Sequence, residues 1–167
     1  MAKLWENTEA LKAVLETLQN KATGTGELRL DFTNSMASSI SDYTFAGCEE
    51  LGTVAFPRCD DIGSYAFDNC SSLSAATFAQ GYISEYAFNN CTNLQEFTML
   101  SAHYGVSGYI AANAFAGCSN LSSISLYPDR MVTLEDPNAF GSKIPQIWVS
   151  GKALNDYSKD VTWGRLS

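Results

Sequence analysis

The feature that most constrains the fold is an internal repeat. Four segments of the chain align without gaps, and each has the pattern I-x-x-x-x-F-x-[GN]-C-x-x-L. They occupy residues 40–51, 62–73, 83–94 and 110–121. Self-similarity with a period of about 20–50 residues is typical of solenoids, in which each coil buries its apolar face against its neighbours. The chain is therefore expected to fold by stacking coils along one axis.

An apolar pair with one residue between its members follows each repeat and predicts a short strand. The pairs are Val54/Phe56, Ala76/Phe78, Phe97/Met99 and Ile124/Leu126, with similar pairs at Leu30/Phe32 and Ile147/Val149. These positions recur at intervals of 24, 22, 21, 27 and 23 residues, the last of which contains a degenerate repeat around Phe140. We expect one short parallel strand per coil, with short helical turns on the other side.

The repeated Phe and Cys predict ladders in the core, because like residues lie on like residues when coils stack about 4.8 Å apart. The expected ladders are Phe45, Phe67, Phe88, Phe115 and Phe140, and Cys48, Cys70, Cys91 and Cys118. Stacked cysteines point in parallel, so their Cβ vectors do not converge as a disulfide requires. We predict buried thiols that fill space. Cys59 lies outside the ladder and is also predicted to be in the core, with an exposed reactive thiol as the alternative.

The residue before each ladder cysteine is Gly47, Asn69, Asn90 or Gly117. Glycine and asparagine adopt a positive φ more readily than other residues. This position is therefore predicted to be the left-handed residue that ends a short helical turn and directs the chain into the strand.

The motif I-x-x-x-A-F-x-[GN]-C-x-x-L followed by a strand resembles the BspA-like leucine-rich repeat family of bacterial and protist surface proteins. The resemblance covers roughly residues 28–150. It implies a right-handed leucine-rich-repeat superhelix that is used for binding, often as part of a cell-surface adhesin. It implies no catalytic residues.

An open solenoid exposes apolar surface at both ends and needs caps. We expect an N-terminal capping helix and linker in residues 1–24, the solenoid in residues 25–150 and a C-terminal cap in residues 151–167. The apolar residues Leu4, Leu11, Val14, Leu15 and Leu18 lie on one helical stripe. The same stripe satisfies a heptad, so oligomerisation through residues 4–18 is the alternative to a cap.

The acidic charge is concentrated in the repeats. Residues 40–126 contain eight acidic side chains and one basic side chain, Arg58, and so carry −7 of the total charge of −8. Nucleic acids and anionic membranes attract surfaces rich in Lys and Arg, so neither is an expected partner. No apolar run approaches the roughly 20 residues that span a bilayer, so membrane insertion is not expected.

The first residues, Met1–Glu6, have no apolar stretch behind a basic region, and we recognise no signal peptide in this chain. A cell-surface or extracellular location therefore rests on the family resemblance, and a cytoplasmic location stays open.

Signals for catalysis or metal binding are weak. His103 is the single histidine, and no nucleophile motif accompanies it. The acidic pairs Glu49-Glu50, Asp60-Asp61 and Glu135-Asp136 do not match the alternating ligands of a calcium loop and are better explained as solvated turns. We predict that the protein is not an enzyme and needs no cofactor.

The remaining candidates are surface residues. The outward strand positions Thr77, Thr98, Ser125 and Trp148 belong to a small, hydroxyl-rich face that can accept a protein or a glycan. Trp148 is the one aromatic anchor among them, and a place in the C-terminal cap is its alternative role.

A second candidate is the long coil between Ile83 and Ile110, which has 27 residues where the two preceding coils have 22 and 21. Insertions in solenoids emerge as loops on one face, often the binding face. We predict that His103, Tyr104 and Tyr109 contribute to the partner site, with a tolerated insertion as the alternative. The expected partner is a host or neighbouring-cell surface protein. A structural or display domain of a larger envelope or prophage-like assembly is the alternative function.

Overall fold

The computed structural model describes residues 28–31, 38–101, 108–141 and 143–164. In chain order its strands are β1 Leu28–Asp31, β2 Ser39–Ile40, β3 Leu51–Phe56, β4 Asp61–Ile62, β5 Ala75–Ala79, β6 Tyr82–Ile83, β7 Glu96–Leu100, β8 Tyr109–Ile110, β9 Ser123–Leu126, β10 Thr133–Leu134 and β11 Gln146–Val149. The longer strands form a six-stranded parallel sheet in the order β1-β3-β5-β7-β9-β11. The two-residue strands form a five-stranded parallel sheet in the order β2-β4-β6-β8-β10.

The chain is thus a β-solenoid of about five turns in which each coil alternates between the two sheets. The prediction of one strand per coil was wrong, because each coil also has a two-residue strand that ends at a buried residue such as Ile62 or Ile83. A strand of two residues is too short to show an alternating pattern, so periodicity could not reveal it.

The predicted left-handed positions are present, with φ of 74° at Gly47, 57° at Asn69, 55° at Asn90 and 74° at Gly117. The four aligned repeats have hydrogen-bonded turns where helical turns were predicted. The degenerate coil has a 3-10 helix at Pro137–Phe140. The turns bond from coil to coil, as where the Asn69 N–H donates to the carbonyl of Asn89 at 2.9 Å. These N–H groups donate to the neighbouring coil, whereas in a helix they would donate to carbonyls of the same helix.

A ladder of phenylalanine rings runs through the core. The ring centroids of Phe45, Phe67, Phe88, Phe115 and Phe140 are successively 4.9, 5.0, 5.2 and 5.9 Å apart. Rings from the longer strands meet this ladder edge-on, as between Phe67 and Phe78 at 5.7 Å. Both arrangements are favourable for aromatic quadrupoles and add to the burial of these rings.

The C-terminal residues cover one side of the last coil. They form two one-turn helices, Leu154–Tyr157 and Val161–Gly164, from which Tyr157 and Trp163 are buried. The Tyr157 hydroxyl accepts from the Val132 N–H at 2.9 Å, and Trp163 Nε1 donates to the Val132 carbonyl at 2.8 Å. These bonds hold Trp163 against Phe140, with 6.2 Å between the ring centroids, and Tyr157 against Trp163, with 5.2 Å between theirs.

The N-terminal capping helix predicted in residues 1–24 lies outside the described residues, and the right-handed sense of the superhelix stays a prediction. Within the described ranges, no helix is long and apolar enough to cross a bilayer.

Candidate binding surface

Tyrosines occupy an unusual backbone position in three successive coils. Tyr43, Tyr65 and Tyr86 lie three residues after the core isoleucine that ends each two-residue strand, and their φ angles are 58°, 56° and 57°. The next coil has Asn113 there, with a φ of 58°. A left-handed conformation costs an ordinary L-residue about 1–2 kcal/mol, and asparagine adopts it most readily after glycine. The backbone therefore favours Asn or Gly at a position where three coils have Tyr.

The three rings form a stack along the solenoid axis, which we call the tyrosine column. The centroids of Tyr43 and Tyr65, and of Tyr65 and Tyr86, are 5.1 Å apart in each pair, and the rings are nearly parallel. Tyr43 is 52% exposed, and the other two are partly exposed. Stacking offsets part of the backbone cost, while the ring edges and hydroxyl groups stay accessible.

A second pair of stacked tyrosines lies on the five-stranded sheet. Tyr82 on β6 and Tyr109 on β8 are register partners, and their centroids are 4.5 Å apart. Tyr82 is 47% exposed. In the same row, Asp61 on β4 is the register partner of Tyr82 on its other side. This row therefore has a carboxylate beside two phenols.

Acidic groups adjoin both sets of tyrosines. The pKa of Tyr65 is above its usual value, and partial burial is the largest cause. The adjacent tyrosines and the charges of Asp68 and Glu85 raise it further. Burial, the charge of Glu135 and hydrogen bonds to Glu135 and Tyr82 raise the pKa of Tyr109 to about 12. These tyrosines therefore stay protonated at neutral pH and can donate hydrogen bonds.

Asp61 and Asp42 link the two sets of tyrosines. Burial and the charges of Asp60 and Asp42 raise the pKa of Asp61 above its usual value. Asp42 is next to Tyr43 in the chain, and its carboxylate contacts the backbone at Ser64, three residues after Asp61. Asp42 Oδ1 accepts from the Ser64 N–H at 2.8 Å, which holds this carboxylate against the following coil. The acidic tyrosine surface is defined as Tyr43, Tyr65, Tyr82, Tyr86 and Tyr109 with Asp42, Asp61, Asp68, Glu85 and Glu135.

The hydroxyl-rich candidates from the sequence lie on the other sheet. Thr77 pairs with Thr98, Thr98 with Ser125, and Ser125 with Trp148, so these four residues form one continuous row. Trp148 is 55% exposed, and the other three are partly exposed. Tyr109 is not part of this row, because it lies on the five-stranded sheet with Tyr82. His103 and Tyr104 lie outside the described residues.

The cysteines are part of the core. All five are described, all are buried and none forms a disulfide. The Sγ atoms of Cys70, Cys91 and Cys118 donate to carbonyls of the preceding coil at 3.0–3.1 Å. Burial raises the pKa of Cys59 to about 12, although its thiol donates to the Asp61 carbonyl at 3.4 Å. The alternative of an exposed, reactive Cys59 was therefore wrong.

Both members of the acidic pair Glu135-Asp136 bond to the backbone. Glu135 Oε2 accepts from the Ala112 N–H at 2.8 Å, and Asp136 Oδ1 caps the 3-10 helix by accepting from the Asn138 N–H at 2.7 Å. Among the described residues, no three His, Cys, Asp or Glu side chains are grouped so that they could hold a metal ion.

Sequence reasoning missed the acidic tyrosine surface. Tyrosine occupies the same position in three of the four aligned repeats, at residues 43, 65 and 86, and this was the available signal. The repeat pattern leaves this position variable, because the fourth copy has Asn113. Tyr and Asn both have a positive φ at this position. The sequence pattern does not show this backbone conformation.

Comparison with known families agrees with this architecture. A family model described as BspA type leucine rich repeat region, in six copies, matches residues 29–144. No curated protein and no solved structure matches the chain.

Proposed function

Because the chain belongs to the BspA-type leucine-rich repeat family, we propose that it is a non-enzymatic protein-binding module of the cell-surface or adhesin type. Leucine-rich repeats generally mediate protein binding, and the members of this family are often associated with the cell surface. The regular outward rows on both sheets support this proposal, since stacked coils create the extended surfaces that solenoids use for recognition.

The observation that carries the proposal is the acidic tyrosine surface. Tyrosine offers a large contact area at low entropic cost and is enriched where proteins recognise one another. At Tyr43, Tyr65 and Tyr86 the backbone would be less strained with asparagine, so tyrosine occupies these positions at a local energetic cost. A role of the phenol groups in binding a partner accounts for this cost.

The charge of the surface defines the chemistry of the partner. Residues 40–126 carry −7, so a partner segment rich in Lys or Arg is attracted to this region and an acidic one is repelled. Arginine suits the surface best, because its guanidinium group hydrogen-bonds to carboxylates and also packs on aromatic rings. We therefore propose a basic segment of a host or neighbouring-cell protein as the ligand.

The row of Thr77, Thr98, Ser125 and Trp148 is a second candidate surface, for a protein or a glycan. It has small hydroxyl groups and a single aromatic side chain at one end, and so it has few of the aromatic and Arg anchors of strong binding sites. A structural or display role in a larger assembly is the alternative function.

A titration with an arginine-rich peptide and its glutamate counterpart tests the proposal. The arginine-rich peptide should bind, the glutamate peptide should not, and the affinity should fall with added salt. The decisive variants are Tyr65→Asn and Tyr86→Asn, which remove a ring without changing the net charge and use the residue that the fourth coil has at Asn113. They should weaken binding at least about tenfold, as expected for aromatic hot spots.

Thr98→Ala and Tyr127→Asn are matched controls, because Thr98 lies on the other sheet and Tyr127 is an exposed tyrosine that follows β9. They should bind like the original chain. If the Tyr→Asn variants also kept full affinity, binding would depend on charge alone and the tyrosine surface would not be the site. If only Thr98→Ala lost affinity, the hydroxyl-rich row would be the site.

A further inference from the structure

The last strand of the six-stranded sheet has an open edge. β11 pairs with β9 on one side and is the final strand in the sheet order. In the described part of the chain, no strand pairs with its other edge. Three of the four residues of the strand QIWV are apolar, and two of them, Ile147 and Val149, are β-branched. Exposed apolar edge strands tend to pair with another strand.

The core is incompletely covered at this strand. Ile147 and Val149 face the core but are only partly buried. Their register partners on β9, Ile124 and Leu126, are 0% exposed. The C-terminal cap contacts the Phe140 side of the last coil through Trp163, and it leaves the strand side partly open. One further strand beside β11 would complete the burial.

Exposed apolar side chains are frequent in the last coil and the segment that follows it. Of the seven large apolar or aromatic side chains that are exposed in the described residues, four lie between residues 144 and 161. They are Ile144 at 48%, Trp148 at 55%, Leu154 at 57% and Val161 at 70% exposed. A concentration of such residues marks an interaction surface more often than scattered single ones do.

The charge of this end suits a second copy of the same chain. Residues 127–167 contain five acidic and five basic side chains and are neutral overall, whereas residues 40–126 carry −7. Two copies therefore repel each other along the repeats and meet with least repulsion at the C-terminal end. A basic partner, in contrast, is attracted to the repeats and not to this end.

From these observations we propose that β11 is a homodimerisation edge, on which β11 of a second copy adds as an antiparallel strand about a twofold axis. Two identical edges related by a twofold axis pair in an antiparallel way. The register follows from the alternation of side chains, because directly opposite residues point to the same face. Pairing Ile147 with Val149 of the second copy covers both core-facing residues on each side and puts the two Trp148 residues next to each other.

This dimer is independent of the proposed partner surface, which consists of the tyrosine column in the turns and of Tyr82 and Tyr109 on the five-stranded sheet. It also differs from oligomerisation through residues 4–18, and the two dimers can be distinguished by substitution.

Analytical ultracentrifugation of the full chain over a range of concentrations tests the proposal. We expect twice the monomer mass at the highest concentrations and no larger species, because a twofold interface closes. Trp148→Lys should weaken the dimer at least about tenfold, since an exposed lysine on an edge opposes pairing. Thr98→Lys is the matched control, because it adds the same charge on the same face of a central strand.

A cysteine cross-link tests the register. Trp148→Cys should form a disulfide-linked dimer on mild oxidation, because directly opposite Cα atoms in an antiparallel pair are within disulfide range. Thr98→Cys should not, and the five natural cysteines are buried. A chain that stays monomeric at every concentration would overturn the proposal. A dimer that is unaffected by Trp148→Lys but dissociates with Leu15→Lys would also overturn it. A mass that increases beyond that of the dimer would overturn it as well.

Discussion

Truncation of one ring in the phenylalanine ladder should destabilise the protein strongly, and the size of the loss can be worked out for Phe67. Its side chain is 0% exposed, and its ring lies between Phe45 at 4.9 Å and Phe88 at 5.0 Å, with Phe78 edge-on at 5.7 Å. Phe→Ala in a core costs about 3–5 kcal/mol. Because the ring has aromatic neighbours on three sides, we expect Phe67→Ala to lie at the upper end, at about 4–5 kcal/mol.

Phe140 provides the comparison within the same ladder. Its ring stacks on Phe115 at a longer distance, 5.9 Å, and on its other side it meets the tilted ring of Trp163 at 6.2 Å. We expect Phe140→Ala to cost about 3 kcal/mol, because fewer close contacts are lost. With a urea m-value of about 2 kcal/mol/M, the midpoint should fall by about 2 M for Phe67→Ala and about 1.5 M for Phe140→Ala.

Urea unfolding followed by circular dichroism is the assay. Phe67→Leu keeps most of the volume and should cost less than about 1.5 kcal/mol, so it gives a folded reference if the Ala variant is too unstable to study. Small and equal losses for Phe67→Ala, Phe88→Ala and Phe140→Ala would refute the view that ring stacking stabilises the coils.

Three further outcomes are expected. Asn69→Gly should be nearly neutral in urea unfolding and Asn69→Val strongly destabilising, because a β-branched residue is unfavourable at a φ of 57°; equal stability of the two would contradict the left-handed turn. Thiol reagents at neutral pH should leave the native cysteines unmodified, including Cys59 with its pKa of about 12, and rapid labelling of all five would contradict the buried core. Stability should fall as pH rises from about 10 to 12, because burial raises the pKa of Tyr157 to about 12 and the unfolded chain loses this proton first. Tyr157→Phe should reduce that slope, and an unchanged slope in a pH series of melts would assign it to other groups.

The repeat made the core predictable. Phe67, Cys70 and Leu73 recur at fixed offsets in every aligned copy, and stacking of like residues follows from the spacing between coils. The left-handed turn at Asn69 was also predictable, because only Gly and Asn occur at that offset. These features depend on residue identity within one coil, which the sequence shows directly.

The second sheet and the acidic tyrosine surface were harder to predict. The two-residue strands have one buried residue each, such as Ile83, and their hydrogen bonds join different coils, so no local pattern marks them. Tyr82 and Tyr109 become neighbours only through that pairing, although 27 residues separate them in the chain. Exposure of a side chain such as Tyr43 depends on which way the turn points it, and periodicity does not encode that direction.

The proposed dimer edge also could not be read from the sequence. The pair Ile147/Val149 has the same alternation as Ile124/Leu126, and both pairs predict a strand with a buried face. They differ in what lies beside them, because β9 has strands on both sides and β11 on one. The position of a strand within its sheet is a tertiary property.

The measurement that tests the central claim most directly is hydroxyl-radical footprinting of the chain with and without the bound arginine-rich peptide. The central claim is that the acidic tyrosine surface is the binding site. Oxidation of Tyr65, Tyr82 and Tyr86 should fall when the peptide is bound, while oxidation of Tyr127 and Trp148 should stay the same. Protection of Trp148 with unchanged oxidation of the three tyrosines would contradict the claim and assign binding to the other sheet.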